Sequence, residues 1–191
     1  DKIIAISKQT KKDIIDFFNI HEKKIEVVYQ GCNEVFKSIK NASEIANVKN
    51  KFKLFENYLL YVGSIEKRKN LLTLLESLKN LPNKNLIIIG EGTSYKKECL
   101  DFIKKNKLEN RTKILSGLNL FEMACIYQDA EMLIYPSIFE GFGIPIVEAL
   151  FSKIPVITSR DGCFKEAGGE NSIYINPLSS KEITNAINKI S

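Results

Sequence analysis

Two glutamates eight positions apart, Glu140 and Glu148, flank a glycine turn in the run Tyr135-Pro-Ser-Ile-Phe-Glu-Gly-Phe-Gly-Ile-Pro-Ile-Val-Glu-Ala-Leu150. From Ile144 to Phe151 every residue is apolar except Glu148, so this stretch reads as a mostly buried helix carrying one carboxylate. A carboxylate in such a place needs donors or a cation to offset its desolvation. Gly141 and Gly143 let a ligand approach the backbone, and Pro145 marks a helix start whose free amides face an anion. A carboxylate pair, a glycine turn and an open helix N-terminus together suit a polyhydroxylated anion, of which a sugar nucleotide is one. The bland alternatives are a buried ion pair for Glu148 and an exposed loop acid for Glu140.

Two other loops carry polar groups after apolar runs. Gly63-Ser-Ile-Glu-Lys-Arg-Lys-Asn70 leads into a leucine-rich helix. Gly63 and Ser64 form its turn, while Arg68 and Lys69 stand where an anion would also meet the positive end of the helix dipole. Gly90-Glu-Gly-Thr-Ser94 holds Gly92 in a Gly-x-Gly, but no third glycine follows, which disfavours a dinucleotide fingerprint and hydride transfer. His21 is the sole histidine and lies in a polar stretch, so no Ser-His-Asp arrangement is expected. No Asp-x-Asp or histidine cluster offers metal ligands, and neither metal nor cofactor is expected.

The elements that must position these loops alternate. Strands are expected at Ile3–Ser7, Ile25–Tyr29, Tyr58–Val62, Leu86–Ile89, Lys113–Leu115, Met132–Tyr135, Pro155–Thr158 and Ser172–Ile175. Helices are expected near 10–18, 70–79, 95–105, 119–128, 144–151 and 180–190. Such alternation, with continuously apolar strands, predicts an α/β fold: a Rossmann-like doubly wound parallel sheet covered on both faces. Ligands of such sheets bind beyond the carboxyl ends of the strands, where the three loops fall. Residues 38–56 read as a surface excursion. The 191 residues, 44% hydrophobic and 27% charged, suit one large packed domain. The net charge of +5 is spread out and lacks the aromatic-interleaved patch of a nucleic-acid binder, leaving solvated faces or attraction to anionic lipid. The four cysteines form no Cys-x-x-Cys pair, which fits a reducing cytoplasm.

These residues resemble family 4 glycosyltransferases, a retaining group with the two-domain GT-B fold. Pro136-Ser137 with Glu140 to Glu148 is similar to that family's signature of two glutamates; Tyr61 to Leu71 resembles its phosphate loop. Leu115-Ser-Gly-Leu118 resembles the strand end beside the nucleobase. Ile4 to Ile14 resembles the junction between domains, and Ile25 to Gly31 the first strand and turn of the donor-binding domain. The resemblance implies that residues 1–19 end an N-terminal domain or join the two, and that 20–191 form the donor nucleotide-sugar-binding domain. It implies that Glu148 holds the ribose, Glu140 contacts the transferred sugar, the amides around Phe142, Gly143 and Ile144 meet the sugar and diphosphate, and Lys69 neutralises the diphosphate. Lys69 and Glu140 are then the catalytic pair. Two departures stand out: Ser64 where an arginine is frequent, with Arg68 as partial compensation, and Cys163-Phe-Lys-Glu166 where small residues are usual.

By the same resemblance the partners are a nucleoside diphosphate sugar, with GDP-mannose the first expectation, and an acceptor domain upstream. The chain reads as a piece of a longer, cytoplasmic enzyme working at the inner face of a membrane, inactive alone. A non-catalytic nucleotide-sugar-binding module, and an epimerase or phosphorylase of the same architecture, are the alternatives.

Overall fold

The computed structural model describes residues 1–92 and 94–190. Thr93, in the Gly90–Ser94 loop, and Ser191, the last residue of the 20–191 reading, lie outside the described residues. The central feature is a six-stranded, wholly parallel sheet built from β3 (Leu59–Val62), β4 (Leu86–Ile89), β5 (Thr112–Leu115), β6 (Met132–Tyr135), β7 (Val156–Ser159) and β8 (Ile173–Ile175). Their order is β5-β4-β3-β6-β7-β8. All four residues of each of β3, β4, β6 and β7 are buried, as their apolar runs require of strands covered on both faces.

Helices α3 (Leu71–Lys79), α4 (Ser94–Lys105) and α8 (Ser180–Ile190) cover one face. Helices α2 (Ala42–Phe52), α5 (Leu120–Asp129), α6 (Ile144–Phe151) and α7 (Phe164–Gly168) cover the other. The chain leaves β3 toward the first face and β6 toward the second, although the two strands are hydrogen-bonded neighbours. Their loops therefore diverge and leave a crevice between them, the place where open α/β sheets take ligands.

Two expectations are corrected. Residues 38–56 are not a loose excursion: α2 opens with a capping box in which Asn41 and Glu44 satisfy each other's amides. It buries Val48 in the core shared with α5. Nor does the strand at Ile25 open the large sheet. Strand β2 (Ile25–Val27) pairs in parallel with β1 (Ile3–Ala5), forming a separate two-stranded sheet joined through α1 (Lys8–Phe18).

The ends of β3 and β4 approach so closely that a Cβ on Gly90 would lie 2.0 Å from the Gly63 carbonyl oxygen. That contact involves backbone, so the Gly90→Ala chain must shift a strand end. A loss of about 3 kcal/mol is expected, seen as a lower urea midpoint with unchanged slope; unchanged stability would show the strand ends to be free to part.

Candidate functional site

The loops after β3 and β6 are stitched together. The Ile138 amide donates to the Arg68 carbonyl at 2.7 Å, and the Asn70 amide side chain reaches the carbonyls of Pro136 and Pro177 at 3.2 and 2.6 Å. Ser137 Oγ donates to the Arg68 carbonyl at 3.1 Å. Lys69 and Glu140, seventy-one positions apart in the chain, thereby meet: Lys69 Nζ lies 2.5 Å from Glu140 Oε1, and each side chain is only 10% exposed. Lys69 Nζ also donates to the Tyr135 hydroxyl at 2.7 Å. Arg68 approaches the same carboxylate oxygen at 2.9 Å and Glu66 at 2.8 Å. Burial pushes the Glu140 carboxyl up, but hydrogen bonds from Lys69, Ser137 and Arg68 with the Lys69 charge outweigh it and bring it below its ordinary 4.5.

Beyond Glu140 the chain turns through Gly141, Phe142 and Gly143 into α6. Gly143 has φ +104° at the helix N-cap, and no side chain caps the helix there. Lys69, Tyr135, Glu140 and the residues from Gly141 to Pro145 line one cleft of about 260 Å³, with Ile6 and Gln30 opposite. Six of the residues expected from sequence are thus brought together: Lys69, Glu140, Gly141, Phe142, Gly143 and Ile144. A larger hollow of about 450 Å³ lies on α1 beside β2, away from these groups, and carries none of them.

Glu148 lies one helical turn further on. Its Oε2 accepts from the Tyr127 hydroxyl at 2.8 Å, and among the described residues no cation pairs with it. Burial pushes its carboxyl above the ordinary 4.5, and the Tyr127 hydrogen bond only partly opposes this. The buried ion pair considered as an alternative for Glu148 is not what the fold contains.

The remaining expected residues take other positions. Gly63 (φ +146°) passes under the Lys69 side chain, 3.6 Å from where its Cβ would be. Ser64 donates to Glu66 at 2.6 Å, so the Ser64 position holds the carboxylate that pairs with Arg68. Gly92 pairs with Ile65 in an isolated bridge, and a Cβ there would lie 2.3 Å from the Ile65 carbonyl oxygen; close packing explains that glycine. Leu118 follows β5, two strands from β3, half-buried against the core. His21 accepts from the Lys23 amide at 3.2 Å and caps a 3₁₀ turn. The four cysteines are free, and no helix among the described residues is long and apolar enough to cross a membrane.

The family model described as glycosyl transferases group 1 matches residues 42–191, more than half of the chain. This chain belongs to that family. The O-antigen chain mannosyltransferase RfbU of Salmonella typhimurium is 31% identical over 189 residues, covering 98% of this chain and 50% of RfbU. Among solved structures, Anabaena Alr3699/HepE in complex with UDP and glucose superposes with a TM-score of 0.88 at 23% identity, over 98% of this chain and 52% of that one. The C-terminal domain of a group 1 family protein, LpcC of Francisella tularensis, superposes with a TM-score of 0.66 at 25% identity, over 82% of this chain and 85% of that one. The chain spans about half the length of the curated relatives it matches. Its fold is the expected one, a Rossmann-like half of a GT-B glycosyltransferase architecture.

Sequence reading gave no role to Tyr127, Tyr135 or Ser137, the partners of the three charged residues, although Ser137 stands in the run that resembles the signature. Each belongs to, or directly follows, an apolar element in which a lone hydroxyl reads as packing. Glu148 supplies a pH test. Its carboxyl is raised in the fold, so the ionised group costs stability above that raised value, and the cost disappears as pH falls below the ordinary 4.5. Glu148→Gln, whose carbonyl still accepts from Tyr127, is expected to raise the unfolding midpoint at pH 7 and leave it unchanged near pH 4. A midpoint lowered at both pH values would make the carboxylate a structural anchor.

Proposed function

We propose that this chain is the donor-binding half of a retaining, metal-independent hexosyltransferase that uses a nucleoside diphosphate sugar and extends a glycan or lipid-linked acceptor. The observation that carries the reading is the meeting of Lys69, Glu140 and the uncapped start of α6 around one cleft at the crossover between β3 and β6. A diphosphate placed there accepts from the α6 amides and from Lys69, and these preorganised donors favour the charge that grows on the departing phosphate. Glu140, held by Ser137 and Arg68 when Lys69 turns to the phosphate, stands beside the sugar. The carboxylate of Glu148, which among the described residues accepts from the Tyr127 hydroxyl and pairs with no cation, is suited to accept from the ribose hydroxyls. The likeness to mannosyltransferases of O-antigen chains supports mannose as the sugar and GDP as its carrier; Alr3699/HepE, solved with UDP and glucose, makes UDP-glucose the competing donor. Residues 1–19 in this reading belong with an acceptor-binding domain.

Calorimetric titration with GDP, UDP, ADP and their sugar conjugates, without added metal, tests the reading. Saturable binding of one base is expected, abolished in Glu148→Gln even though that variant folds more stably at pH 7. Lys69→Ala should weaken the diphosphate by about 2 kcal/mol, or roughly thirtyfold, and leave the nucleoside nearly unchanged. Equal losses for diphosphate and nucleoside would remove Lys69 from the phosphate site, and undiminished binding in Glu148→Gln would remove Glu148 from the ribose. Products of inverted anomeric configuration from the full-length enzyme would end the retaining mechanism.

A further inference from the structure

Helix α1 brings no acidic residue to its own first turn. Ser7 caps one amide, that of Thr10, at 2.9 Å. The amides of Lys8 and Gln9 donate instead to the two carboxylate oxygens of Glu166 on α7, at 2.7 and 3.1 Å, across 158 and 157 positions of chain. A carboxylate placed across free helix amides satisfies donors that have no partner within the helix and complements its dipole. This one also joins two parts of the molecule that lie more than 150 positions apart in the chain.

Both parts bear on the turn from Glu140 to Gly143. From α1, Thr10 Oγ1 donates to the Gly141 carbonyl at 3.1 Å. Just before α1, Ile6 packs so closely that a Cβ on Gly141 would lie 2.9 Å from its Cδ1. From the start of α7, the Cys163 thiol lies 3.2 Å from the Glu140 carbonyl and 3.3 Å from that of Phe142. The Tyr29 ring stacks on Phe142 with centroids 5.6 Å apart. The Tyr29 hydroxyl is raised by loss of solvent and then by the nearby Glu166 carboxylate. Glu166 thus reaches the turn by two routes: through α1, and through the short helix that carries it.

We propose that Glu166 is a positioning residue that clamps α1 to the turn of residues 140–143, so that docking of α1 and occupancy of the turn by a nucleotide sugar are linked. Linkage is reciprocal: a ligand that orders the turn tightens α1, and loosening α1 weakens the ligand. The ligand half of the proposal rests on the nucleotide-sugar reading; the clamp itself does not.

Amide hydrogen exchange on the 191-residue chain tests it, in the unsubstituted protein, Glu166→Ala and Thr10→Val. Glu166→Ala is expected to speed exchange about tenfold at Lys8 and Gln9 and also at Gly141 to Ile144. Thr10→Val, which keeps the carboxylate and cuts a separate tie, is expected to speed exchange in both segments as well, and it carries the test if Glu166→Ala does not fold. Faster exchange at Lys8 and Gln9 with an unchanged turn would reduce Glu166 to a helix cap and overturn the proposal, as would no change in either segment. With GDP-mannose as the probe, binding should slow exchange at Lys8 and Gln9, and Glu166→Ala should lose most of that slowing and about tenfold in affinity. Failure of the unsubstituted chain to bind GDP-mannose counts against that donor, while exchange at the turn without ligand still decides the clamp.

Discussion

A buried ammonium constrains the rest of this structure. Lys69 has little solvent left, and an unpaired ammonium at that depth would cost several kcal/mol. Its compensation comes from Glu140 and Tyr135, both supplied by β6 and the loop that follows. The loop after β3 must therefore lie against the loop after β6, which holds only if β6 pairs with the edge of β3 opposite β4. The parallel order of the sheet and the depth of the cation are two expressions of one requirement. Asn70, Ser137 and Ser159 repeat it with neutral groups, tying the ends of β3, β6 and β7 through backbone carbonyls. A seam of this kind fixes the loop backbones that carry the charged side chains.

The turn into α6 follows a different logic. Gly143 occupies a conformation that an L side chain resists, and Ile146 already fills the space its Cβ would need, 3.1 Å away. The helix starts without a side-chain cap and with Pro145, so its first amides remain directed at the cleft. Ordinary stability would favour Ser, Thr, Asn or Asp at that cap by about 1 kcal/mol over residues unable to cap. Elsewhere the chain uses such caps freely, at Ser7, Asn41 and Asn119. Their absence at α6 coincides with the place where an anion would take over the capping role.

Much of this was legible in the sequence because the large strands are four-residue apolar runs between polar loops, a pattern that fixes both strand identity and burial on two faces. The turn and its two glutamates were legible for the same reason, since a lone carboxylate in an apolar helix stands out. Strand β2 was assigned to the wrong sheet because three residues carry no sign of which neighbour they will pair with. Helix α2 was missed although Asn41 and Glu44 stand at capping-box spacing before Ile45, Val48 and Phe52; its polar composition masked the period. The partnership of Glu166 with α1 left no local trace, because both its amides lie more than 150 positions away. Local chemistry announces itself in sequence; contacts closed by the fold do not.

The charge balance at the seam bears on how a diphosphate would be held. Lys69 and Arg68 face Glu66 and Glu140, two cations and two carboxylates, so the cluster is neutral as it stands. An arginine in place of Ser64 would leave it with a net positive charge. With serine there, the Ser64 hydroxyl instead satisfies Glu66, which keeps the exposed Arg68 drawn toward the rim. Close-range attraction of a diphosphate would then fall to the α6 dipole, whose field fades within a turn. In the proposed reading Lys69 would become available when Glu140 exchanges it for Arg68, since both cations already share Oε1. The ion pair that stabilises the unliganded seam would in this way also meter the release of its cation, and a diphosphate would be held by rearranging charge already in place.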